Sequence, residues 1–106
     1  MIRSEDALMT AAELDHSASK DPDPPSGLDG IPLALWHARA GNWGRAHDLC
    51  QEIPGTAGPW IHAHLHREEG DLSNAAYWYA RAGRGMPDKR VSIAEEWREI
   101  AEALLG

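Results

Sequence analysis

Gly41-Asn42-Trp43-Gly44-Arg45-Ala46 and Gly70-Asp71-Leu72-Ser73-Asn74-Ala75 are two copies of one pattern, set 29 residues apart. In each, a glycine precedes a residue that can cap a helix, then a large apolar residue, then an alanine three positions on. The same offset pairs Cys50 with Tyr79 and Ile53 with Ala82 downstream. Upstream it pairs Ala34 with Ala63, Trp36 with Leu65 and His37 with His66. A glycine suits the left-handed residue that ends a helix, and a small alanine lets two helices approach closely. Each copy therefore reads as helix, glycine-led turn, helix.

Helical spacing extends outward from these turns. Pro32 suits a first helical turn, and Leu33, Trp36, His37 and Ala40 follow on one face until Gly41. Trp43, Ala46, Cys50 and Ile53 continue at spacings of three, four and three until Pro54. Pro59 opens a helix carrying Ile61 and Leu65, closed by Gly70. Leu72, Ala75, Tyr79 and Ala82 form the next, and Ser92 with Glu95 makes a capping box ahead of Ile93, Trp97, Ile100 and Leu104. Before the repeats, residues 20–30 hold Pro22, Pro24 and Pro25 among acids and glycines, a stiff connector. Ahead of it Ser4 can cap a helix ending near His16, with a thin stripe of Leu8, Ala11, Ala12 and Leu14. Nothing alternates with a period of two.

The expected architecture is thus all-α, with helices near 4–16, 31–40, 43–53, 59–69, 72–83 and 92–105. It divides into an N-terminal helix (1–19), a Pro-rich linker (20–30) and a helical-repeat domain (31–106). The last helix, with Glu95, Glu96, Arg98, Glu99 and Glu102 outward, is expected to cap one end of the stack.

The two units resemble tetratricopeptide-type helical hairpins. The second offers Ala63, Gly70, Asp71, Leu72, Ala75, Tyr79, Ala82 and the closing Pro87. The first offers Ala34, Gly41, Asn42, Trp43, Ala46 and Cys50, without a closing proline. The period of 29 is shorter than the family's 34. The resemblance implies a binding scaffold that holds its ligand on the face lined by the first helix of each hairpin. On that frame the binding face comprises Leu35, Arg39, Trp60, His64, Arg67 and Glu68, with Trp60, His64 and Arg67 a ladder of groups common in binding hot spots. The alternative for Trp60 is packing beneath the linker or the N-terminal helix.

Composition narrows the function. The 106 residues include 17 acids and 10 Lys and Arg, a formal charge of −7, which argues against a phosphate-tracking nucleic-acid protein. Arg81, Arg84, Lys89 and Arg90 are the local exception and suit the negative ends of helices. No apolar run approaches the roughly 20 residues that span a bilayer, so no membrane is expected. Met1–Leu14 carries Glu5, Asp6 and Glu13, unlike a secretory or transit peptide, and the single Cys50 excludes a disulfide framework. A cytoplasmic protein is expected. Five Trp and no Phe leave a small core rich in indole, and with only two hairpins some of that surface is expected to be covered by a second copy, as a homodimer.

Chemistry-bearing residues are sparse. His62 and His66 lie four apart on one helical face with Glu69, a His-His-Glu set that could hold a metal, and His64 points elsewhere. The alternative is that these imidazoles are hydrogen-bonded core residues, like His37 at the matching point of the first unit. Cys50 lies on an apolar stripe, and no nucleophile or phosphate-cradling loop stands out. The leading expectation is a non-catalytic module for a protein or peptide, without a cofactor. The second is a small metal-binding, metal-dependent hydrolytic protein using His62, His66 and Glu69.

Overall fold

The structure, a computed structural model, describes residues 9–105. Six helices follow in chain order: α1 (Ala11–Lys20), α2 (Gly30–Ala40), α3 (Trp43–Cys50), α4 (Ala57–Glu69), α5 (Leu72–Ala82) and α6 (Ile93–Leu105). Among the described residues there is no strand, and the fold is all-α.

The repeated turns fold alike because the same local chemistry ends each first helix. Gly41 and Gly70 both take φ +89°, a backbone that side-chain-bearing residues avoid. In each, the N–H of the following residue reaches back to the carbonyl five positions earlier, Asn42 to His37 and Asp71 to His66. This is the Schellman arrangement, and it turns the chain into an antiparallel hairpin. Asn42 does not cap α3 with its side chain; its amide donates instead to His37 Nδ1 at 3.0 Å.

Hairpin α2/α3 stacks on hairpin α4/α5 through α3 against α4 and α2 against α4. Ala46 and Ala75 are fully buried, as the alignment of the two copies requires. Gly58, inside the first turn of α4, sits tight against the end of α3 and the connection that follows it. A Cβ there would lie 2.5 Å from the Cys50 carbonyl oxygen and 2.6 Å from that of Ile53. The Trp43 indole N–H donates to the Leu65 carbonyl at 2.8 Å, tying α3 to α4.

The N-terminal helix departs from the expectation. The chain is helical from Ala11 to Lys20, and the expected start at Ser4 lies outside the described residues. The cap is Thr10, whose hydroxyl accepts from the Glu13 N–H while the Glu13 carboxylate accepts from the Thr10 N–H. That reciprocal box outweighs the thin stripe used to place the helix earlier. Helix α1 packs on α2 and α6 of the same chain and buries Leu14 completely. The Trp36 indole donates to Ser17 Oγ at 3.0 Å, and Asp15 accepts from Arg39 and Arg98.

Helix α6 also lies differently from a simple end cap. It packs against α4, α2 and α1, across the first helices of both hairpins. The expected capping box at its start is present, with Ser92 and Glu95 exchanging hydrogen bonds. The Trp97 indole donates to the Leu35 carbonyl at 2.9 Å, which fixes α6 to α2.

Candidate functional site

The face lined by the first helices is filled by α6. Leu35, Trp60 and His64, expected to meet a ligand, are buried at 1%, 6% and 2% exposure. Arg67 is turned toward α6, Arg39 is half-buried against Asp15, and only Glu68 is open to solvent. Trp60 is covered from outside by Arg84, whose guanidinium sits 3.7 Å from the ring centroid. The physical reason is area: α6 has an apolar stripe of Trp97, Ile100 and Ala101, all fully buried, and the first-helix face is where they go.

A polar cluster accompanies this closure. Glu96, expected to face solvent, is 1% exposed and accepts from His64 Nδ1 at 2.7 Å, from Arg67 Nη1 at 3.1 Å and from the Tyr79 hydroxyl. Arg67 also donates to the Val91 carbonyl. Burial opposes ionisation of Glu96, but His64, Tyr79 and Arg67 outweigh it and hold its carboxyl below the usual range. Because an ionised carboxylate only accepts, His64 carries its proton on Nδ1. Burial and the Glu96 carboxylate push the Tyr79 hydroxyl far up, so it stays a donor. Glu96 takes a donor from α5 and two from α4, so the cluster locks α4, α5 and α6 together.

Three other imidazoles gather on the opposite side of α4. One potential ligand atom from each of His47, His62 and His66 lies within 4.8 Å of the others. His47 and His62 meet edge to face at 4.5 Å between ring centroids, and His62 stacks with His66 at 4.8 Å. Two indoles flank them: Trp43 stacks on His47 at 4.7 Å, and Trp78 lies on His62 at 3.9 Å. The expected His62, His66 and Glu69 set is therefore revised. Glu69 Oε2 lies 2.7 Å from His66 Nδ1, behind the ring, and His47 of α3 completes the group. Burial first, then His47 and His66, lower the His62 pKa to about 4, so this ring is neutral at neutral pH.

His37 stands apart, edge-on to Trp36 and bonded to Asn42. Cys50 is buried, and that burial pushes its thiol up to about 12, far from a reactive thiolate. On α5, Tyr77, Trp78 and Arg81 form an outward cluster. Arg81 Nη1 donates to the Tyr77 hydroxyl at 2.8 Å, and its guanidinium lies 5.7 Å and 5.6 Å from the Tyr77 and Trp78 centroids.

Fold and site together define a small helical-hairpin protein with one closed polar cluster and one aromatic, imidazole-rich side. Compared with family models, with characterised proteins and with solved structures, the chain matches none.

Proposed function

We propose that this chain is a non-catalytic interaction module that engages a protein or peptide through the outer face of α5. The observation that carries this reading is the outward cluster of Tyr77 (52% exposed), Arg81 and half-buried Trp78 on α5. Tyr, Trp and Arg are the residue types that dominate binding energy, and here they are pre-ordered by the edge-to-face contact of Tyr77 with Trp78 and the Arg81 hydrogen bond to the Tyr77 hydroxyl. The Arg81 guanidinium favours a segment that brings acidic side chains. Glu96 and Tyr79 are engaged with each other, and Cys50 lies in the core.

In this reading the two hairpins serve as a tetratricopeptide-like scaffold, but α6 takes the groove in which such scaffolds hold ligands. The net charge of −7 disfavours nucleic acid, and no helix among the described residues is long and apolar enough to cross a membrane. A cytoplasmic setting accords with one buried thiol. The test is site-specific photo-crosslinking in the native cell from position 77, against position 102 on the outer side of α6. A defined adduct at 77 that is weakened tenfold by Arg81→Ala supports the reading. Equal capture at both positions overturns it.

A further inference from the structure

We propose that His47, His62 and His66 form a binding site for one divalent transition-metal ion of the zinc class, reaching beyond the interaction surface on α5. The alternating sequence His62-Ala63-His64-Leu65-His66 sorts its imidazoles onto two sides of α4. His64 goes to Glu96, whereas His62 and His66 turn to α3, where His47 stands opposite.

Several independent observations converge there. The ligand atoms of all three rings lie within 4.8 Å of one another. A tetrahedral ion with bonds of about 2.0–2.1 Å places its donors roughly 3.4 Å apart, so modest side-chain rotations close the set. His62 is only 6% exposed, and among the described residues neither of its ring nitrogens has a hydrogen-bond partner. A buried nitrogen with an unused lone pair is costly, and a metal ion satisfies it.

His66 is prepared in the manner of a metal ligand. Its Nδ1–H donates to the Glu69 carboxylate at 2.7 Å, which leaves the lone pair on Nε2 and fixes the ring. The Gln51 amide nitrogen donates to His47 Nδ1 at 3.2 Å and to the His47 carbonyl at 3.1 Å, so that ring offers its lone pair to an ion either by giving up the Gln51 bond at Nδ1 or by moving its proton from Nε2. Three imidazole donors select zinc, cobalt, nickel or copper over calcium or magnesium, which require oxygen donors. His62 also lines an open groove with Pro59, Trp78 and Arg81, a path by which the ion enters. The fourth coordination position then belongs to water or a ligand atom, and the ion joins α3 to α4 across the stacked hairpins.

The test uses the full chain, prepared without a histidine tag, titrated with Co2+ and then with Zn2+. One Co2+ per chain with the intense visible bands of low coordination number, displaced by Zn2+, is expected. His47→Ala and His62→Ala should each weaken binding at least tenfold, and Glu69→Gln by about 10–100-fold. His37→Ala should leave it unchanged. His62 is buried, so His47→Gln at a half-buried position keeps the test decisive if the His62 variant fails to fold. Absence of binding at 100-fold molar excess of Co2+, or binding that survives His47→Gln, overturns the site. Neither result bears on crosslinking from position 77.

Discussion

Glu96 concentrates more consequence than any other single side chain. It is a carboxylate without solvent, held ionised by His64, Arg67 and Tyr79. Removing one partner of such a buried group leaves the others uncompensated, so Glu96→Ala should cost about 3–5 kcal/mol in a urea melt at pH 7. The folded-state pKa of Glu96 lies below its unfolded value, near 4.5, so the folded chain binds fewer protons there. Its contribution is complete above that value and is lost as pH falls through the folded pKa. Melts at a series of pH values from 6 down to 3 should therefore show a steep loss in the native chain and a shallower one in the variant. Ala75 carries the opposite lesson, because its importance is its smallness. It is fully buried, and Ala75→Leu should cost about 1–3 kcal/mol by overpacking. A neutral melt would place this residue at a looser contact than the hairpin geometry shows.

Helix α1 shows how a marginal element is secured. Ten residues are too few for an isolated helix in water, so its order comes from its cap and its docking. The Thr10–Glu13 box satisfies two end groups, Leu14 enters the core, and Asp15 bridges to Arg39 and Arg98. Thr10→Ala should cost about 0.5–2 kcal/mol, most of it local. Hydrogen exchange should then quicken over Ala11–Lys20 while α4 keeps its protection. Exchange that quickens uniformly would mean that α1 and the hairpins unfold as one unit. The Thr-x-x-Glu signature of this cap is plain at positions 10–13. Ser4 also fits a cap, and the apolar stripe is too thin to choose between the two starts.

For the molecule as a whole, the argument for a homodimer rested on indole rings left uncovered by two short hairpins. Trp36 and Trp60 are instead buried within one chain at 1% and 6% exposure, with α1 and α6 supplying the cover. Trp43 and Trp78 are the half-buried pair. Sedimentation at micromolar concentration should accordingly give a single-chain species, and iodide should quench only the part of the Trp emission that comes from positions 43 and 78. A dimeric species with full quenching protection would place the α5 face at an interface between copies.

What the chain declares locally is its helices, their hairpin turns and the pairing of two units. Capping boxes, left-handed glycines and three-four spacing act within about one helical turn, so Gly41, Gly70, Ala46, Ala75 and the Ser92–Glu95 box are legible from residues alone. The candidate metal ligands were legible in part. His62 and His66 share a helical face by spacing, but His47 joins them only when α3 packs on α4, and Glu69 falls behind His66 through a side-chain rotation. The placement of α6 lay beyond sequence altogether. A helix with one strong apolar stripe can close an end of the stack or lie along it, and periodicity specifies which residues are buried without specifying against what. The stack settled it: the first-helix face offered Leu35, Trp60 and His64, and Trp97, Ile100 and Glu96 go against it, which takes the apolar stripe of α6 out of water and gives a buried carboxylate three donors.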